Sequence, residues 1–157
     1  MNTGKSGVPP FLSPEWIDEV VAAVRRTTRT DPYYRNIFSR FTLGMVYVVR
    51  NLPPALRECY GSEQAVIFAR VDKGQIKSVE TGTELPEERH HLLVKSDYRV
   101  AQQIASGKTT PVNSFLRRKL IVQPVDFPQW PTYVPKARIA VNLIVKLAKN
   151  VPATYAR

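Results

Sequence analysis

The residue types that could do chemistry are few in this chain, and their spacing serves none of the usual reactions. The two histidines are neighbours, His90 and His91. Adjacent residues on a strand point to opposite faces, so the pair cannot chelate one metal from a regular strand, and both read as surface or partly packed residues. Cys59 is the single cysteine. It excludes a disulfide framework and a cysteine-based metal site, and no histidine stands near it in sequence to activate the thiol. Glu87-Glu88 and Asp18-Glu19 pair carboxylates on stretches that read as solvated faces. There is no Gly-x-Ser-x-Gly elbow. Gly4-Lys5-Ser6 lacks the upstream glycine and the preceding strand of a phosphate loop. These patterns point away from an enzyme, and no catalytic residue, metal or cofactor is expected.

The elements that would position any site are clearer. Residues 1–10 are rich in Gly, Ser and Pro and read as a disordered tail, leaving 11–157 as one domain. Ser13-Pro14-Glu15 starts a helix with a cap, a proline and a carboxylate at the positive end of the dipole. Ile17, Val20, Val21 and Val24 give it an apolar stripe, and a short turn follows over Asp31-Pro32-Tyr33-Tyr34. From Arg40 to Arg50 the period changes to two. Phe41, Leu43, Met45, Tyr47 and Val49 form the bulkier face and are placed under the helices. Leu52 to Leu56 breaks the sheet and Cys59-Tyr60-Gly61 is read as returning to it. Ala65 to Val71 and Gln75 to Thr81 make a hairpin through Asp72-Lys73-Gly74, where glycine can take φ > 0. An acidic loop over Glu84 to Glu88 precedes a strand at His91 to Lys95. Pro124 to Pro135 reads as an aromatic, Pro-rich loop, and Lys136 to Asn150 as the last helix.

The chain has 157 residues, 43% hydrophobic and 23% charged, which is enough for one domain with a real core. The longest nearly uncharged apolar stretch, Phe41 to Val49, is far too short to span a membrane. No signal pattern opens the sequence and no peroxisomal address closes it, so a cytoplasmic location is the expectation. Lys and Arg outnumber Asp and Glu by 23 to 13. A +10 surplus attracts nucleic acid, an anionic bilayer surface or a phosphate-bearing ligand, or is simply a solvated basic surface.

The most informative stretch runs from Leu92 to Gln123 as strand, helix, turn, helix, strand. Ser96 and Asp97 can cap the first helix, Val100, Ala101 and Ile104 form its apolar face, and Gly107 suits its left-handed end. Thr110 and Pro111 start a second short helix. Phe115 and Leu116 lead into the strand Lys119-Leu120-Ile121-Val122.

This order of residues resembles the type-two sterol carrier protein family of small lipid-binding domains. The family pattern is met by Asp97, Tyr98, Ile104, Gly107, Lys108, Pro111, Phe115, Leu116, Lys119 and Leu120, over about a third of the chain. Two positions depart from it. Arg118 stands where the family usually has glycine before the final Lys-Leu, and Arg117 where it usually has a polar residue, often glutamine. The resemblance implies an α+β fold, a five-stranded mainly antiparallel sheet with helices packed on one face. It also implies a non-catalytic domain that holds a fatty acid, acyl-CoA or sterol-like ligand in an apolar tunnel between the sheet and the terminal helix. Phe115 and Leu116 match the apolar pair that contacts ligand in the family. Ile104, Leu143 and Leu147 join them as lining candidates from stripe geometry, which by itself favours ordinary core. Arg117 faces a ligand carboxylate or phosphate, or sits in water. The expected partners are therefore a lipid or acyl-CoA and, transiently, an anionic membrane surface. A basic nucleic-acid-binding module is the alternative. Its arginines are scattered, and Phe41 to Val49 is unlike an RNA-stacking motif.

Overall fold

The computed structural model describes residues 7–156. In chain order the elements are α1 (Pro14–Thr30), α2 (Pro32–Ile37), β1 (Leu43–Arg50), α3 (Pro54–Tyr60), β2 (Ala65–Asp72) and β3 (Gln75–Gly82). After these come β4 (Leu92–Asp97), α4 (Tyr98–Ser106), α5 (Pro111–Leu116), β5 (Leu120–Pro124) and α6 (Trp130–Ala148).

Three helices begin where a capping side chain meets a proline. Ser13 Oγ accepts from the Trp16 amide at 3.3 Å, Asp31 from Tyr33 at 2.9 Å and Thr110 from Asn113 at 3.1 Å. In each case an otherwise unpaired amide of the first turn is satisfied. α4 starts without a side-chain cap, contrary to expectation. The Asp97 carboxylate accepts from Asn51 Nδ2 at 3.0 Å, and Ser96 is engaged by Tyr47. Its other end is as the sequence indicates, with Gly107 at φ +85°.

Two boundaries differ from the sequence reading. Cys59-Tyr60-Gly61 does not return to the sheet but ends α3, with Gly61 left-handed at φ +68°. Pro54 opens that helix and good helix formers fill it, while Leu56 is buried and Tyr60 Oη donates to the Leu12 carbonyl at 2.7 Å. The last helix begins at Trp130 rather than Lys136, so Pro135 lies inside it. A proline there forfeits one helical hydrogen bond. Packing of Phe127 against Tyr133, centroids 5.0 Å apart, and of Tyr133 against Phe41 at 5.5 Å ties this turn to the domain. Before α1, the expected disordered tail is in part ordered. Residues 1–6 lie outside the described residues, but Phe11 donates to the Thr154 carbonyl and Thr154 to that of Pro9, both at 2.9 Å.

The sheet order is β3-β2-β1-β4-β5. β1 and β4 are parallel and the other three pairs antiparallel, so the mainly antiparallel α+β architecture holds. The β2–β3 turn places Lys73 and Gly74 both at positive φ, a two-residue hairpin whose twist matches its strands. Phe41, Leu43, Met45, Tyr47 and Val49 do lie on the helix side, in two clusters built with α1, α4 and α6. The opposite face is apolar as well: Val46, Val48, Val66 and Phe68 are buried there. Phe68 takes His90 edge-on and lies 5.1 Å under the Arg70 guanidinium, and Arg70 pairs with Glu88. The acidic loop before β4 thus lies against this face.

Candidate functional site

Register decides which side chains meet α6. Met45, Tyr47 and Val49 of β1 stand beside Leu92, Val94 and Ser96 of β4, and Val94 and Ser96 stand beside Val122 and Leu120 of β5. Onto this surface α6 lays Ile139, Ala140, Leu143 and Leu147. The filling is uneven. Val49 and Leu92 are buried, whereas Val94, Leu120 and Val122 remain only half-buried although they point toward the helices. On α6, Leu143 is 4% exposed and its neighbour Ile144, one turn beyond Ala140, is 39% exposed. The β4–β5 end of the sheet and α6 therefore meet along an apolar seam whose side chains are only partly covered. One polar point interrupts it: Tyr47 Oη and Ser96 Oγ are hydrogen-bonded at 2.7 Å. Burial pushes the Tyr47 phenol up to about 12 against the opposing effect of that hydrogen bond, so both hydroxyls stay neutral. What the seam offers is apolar contact and a hydroxyl pair.

The residues singled out from sequence distribute around it unequally. Leu143 is core, packed with Phe38, Phe41, Leu43 and Leu92. Leu147 bridges both clusters and Ile104 of α4 is half-buried. Phe115 and Leu116 turn outward, 49% and 69% exposed. Arg117 ends α5 and is exposed, with its backbone amide donating to the Asn113 carbonyl. Val94, Val122 and Ile144 were not singled out by sequence. The alternation of β4 and β5 carries the first two, but only the parallel pairing with β1 says which face they share.

Two clefts open elsewhere on the surface. One of about 510 Å³ lies between Thr42, Arg89, His91, Phe127 and Tyr133. The other, about 370 Å³, separates α1 from the end of α6 and is bordered by Leu147 and Val151. Neither is lined by Ile104, Phe115, Leu116, Arg117 or Leu143.

No protein-family model matches the chain, and no curated protein matches it. Solved structures do. A crystal structure of sterol carrier protein 2 superposes with a TM-score of 0.64 at 17% identity, covering 88% of this chain and 96% of the other. A conserved hypothetical protein of Thermus thermophilus gives 0.63 at 18% identity over 98% and 97% of the two chains. Apo sterol carrier protein 2 of Yarrowia lipolytica gives 0.51 at 16% identity over 92% and 97%. This chain has the sterol carrier protein 2 fold.

Within that fold the turn from α5 into β5 is informative. Arg118, where the resemblance expects glycine, has φ +61°, a left-handed backbone in a residue that carries a Cβ. That costs on the order of 1 kcal/mol relative to glycine. The turn is held by the Lys119 amide donating to the Ser114 carbonyl at 2.8 Å and the Arg118 amide to that of Phe115 at 3.0 Å.

Besides Tyr47, a histidine and the cysteine of this sterol-carrier fold are shifted from their ordinary values. The Gly44 amide donates to His91 Nδ1 at 3.0 Å, which places the ring proton on Nε2. Partial burial, then the charges of Arg89 and His90, hold the His91 pKa below its ordinary value. Partial burial, then Glu15 and Glu58, pushes the Cys59 thiol up, away from the reactive thiolate. Among the described residues, no three His, Cys, Asp or Glu side chains come together as a metal site, and no helix is long and apolar enough to cross a membrane.

Proposed function

We propose that this chain is a non-catalytic lipid-binding or lipid-transfer domain acting as one unit over residues 11–157. It takes the apolar part of a fatty acid, acyl-CoA or sterol-like ligand into the seam between the β4–β5 end of the sheet and α6. The observation that carries this reading is the partly covered seam: Val94 and Val122 point toward the helices yet stay half-buried, in a fold shared with sterol carrier protein 2. In this reading Ile104 and Leu147 border the path on the helix side, and the exposed Phe115, Leu116 and Arg117 mark the corner that leads into β5.

The energetics permit it. Burying ~14 methylenes at about 0.8 kcal/mol each contributes on the order of 11 kcal/mol. Association and ordering costs of roughly 4–15 kcal/mol leave room for micromolar affinity at the low end of that cost and for nothing tighter. Native mass spectrometry of the purified protein should reveal co-purified lipid, and a fluorescent fatty acid should bind and be displaced by unlabelled palmitate. A folded sample that carries no lipid and fails to take up the probe would sink the proposal.

A further inference from the structure

The charge of this protein is strongly polarised along the chain. Residues 98–157 contain ten Lys and Arg against a single acid, Asp126, a surplus of nine; residues 1–97 contain thirteen against twelve. Exposed apolar side chains follow the same division. Among the described residues, seven of the ten exposed large hydrophobics lie in the cationic part. Four of them, Val112, Phe115, Leu116 and Ile121, fall within ten residues around the α5–β5 turn. Exposed Lys108, Arg117, Arg118 and Lys119 belong to the same turn and the one before it.

From this juxtaposition we propose that the α5–β5 corner docks on an anionic lipid bilayer, with Phe115 and Leu116 entering the interface and the surrounding cations meeting the headgroups. Apolar tips alone would suit any greasy partner, and cations alone any polyanion. Their combination selects a surface that is anionic at its boundary and apolar beneath it. Arg118 adds an independent observation. A cation occupies a left-handed position that glycine would fill without strain, at the centre of the corner. The corner leads directly into β5, whose Leu120 and Val122 border the seam, so docking would bring the seam close to lipid. In that respect the inference rests on the proposed function, although vesicle binding is measured without any ligand in the seam.

The test uses the whole chain with vesicles of phosphatidylcholine alone and with about one-third phosphatidylglycerol, read by co-sedimentation. Binding should require the anionic lipid and weaken as salt shortens the Debye length from roughly 8 Å to 3 Å. Each cation near such a surface contributes roughly fivefold, so the triple variant Lys108→Gln, Arg118→Gly, Lys119→Gln should bind about a hundredfold less. Leu116→Ser should lose about tenfold. Lys73→Gln with Lys77→Gln, at the opposite edge of the sheet, should change little. The triple variant should also fold normally and still take up the fluorescent fatty acid. Loss of probe uptake in the wild-type protein with vesicle binding intact would remove the lipid-binding reading and support docking. The docking proposal is overturned if anionic vesicles are not bound at low salt, or if the triple variant binds them as well as the wild type. It is also overturned if a short DNA duplex binds as tightly and Leu116→Ser leaves vesicle binding unchanged.

Discussion

Leu143 and Ile144 are adjacent on α6, and their truncation to alanine should have sharply different costs. Leu143 is 4% exposed and enclosed by Phe38, Phe41, Leu43 and Leu92. Leu143→Ala removes three carbons, about 2.4 kcal/mol of transfer free energy, and leaves a void that a packed aromatic cluster closes only in part. The expected loss is about 3 kcal/mol, or a fall in Tm of roughly 6–12 °C for a domain of this size. Ile144 is 39% exposed, so Ile144→Ala forfeits only part of the transfer term and creates no closed cavity. Its loss should be about 1 kcal/mol. Urea unfolding of ligand-free protein measures both, provided the m-value is unchanged. The difference locates where core ends and seam begins. Equal costs for the two variants, or a Leu143→Ala cost below about 1 kcal/mol, would refute the argument, because Leu143 would then border open space.

Two further outcomes follow from local geometry. A Cβ added at Gly74 would meet the Phe38 carbonyl oxygen at 2.4 Å, in a residue already at φ +79°. Gly74→Ala should therefore destabilise the domain by about 2 kcal/mol or more in the same unfolding assay, and a loss under about 0.5 kcal/mol would show that the hairpin is not held against that segment. His91 gives a pH dependence with a definite sign. Its folded pKa lies below the unfolded value of about 6.5, so the unfolded chain binds the extra proton first. Its contribution is complete above that unfolded value and is lost as pH falls toward the lower folded value, where a protonated Nδ1 would confront the Gly44 amide. Unfolding midpoints taken between neutral and mildly acid pH should fall more steeply for the wild type than for His91→Gln; identical slopes would contradict the assignment.

Local chemistry is what the sequence carried well. Ser13, Asp31 and Thr110, each followed by proline, mark helix starts because a capping oxygen and a missing N–H answer needs that arise within one turn. The alternation through Met45, Tyr47 and Val49 and the Lys73-Gly74 turn are equally short-range. The Leu92 to Gln123 unit was legible for the same reason, and with it the sterol-carrier resemblance that the solved structures bear out as a fold. The start of α3 at Pro54 was present in the same code of proline and glycine, but the strand-like residues around Tyr60 competed with it.

Long-range packing settled the rest. Asp97 was diverted from capping α4 by Asn51, a residue 46 positions away. The helix at Trp130 runs through Pro135 because aromatic contacts with Phe41 and Phe127 offset a lost hydrogen bond, a balance that no short window contains. Leu143 and Phe115 are equally apolar letters, yet one is enclosed and the other stands in water. Hydropathy determined that this chain would bury a core and carry a basic surface. The parallel pairing of β1 with β4 and the placement of α6 over them decided which apolar residues were covered and which stayed exposed, since burial depends on neighbours that only the folded chain brings together.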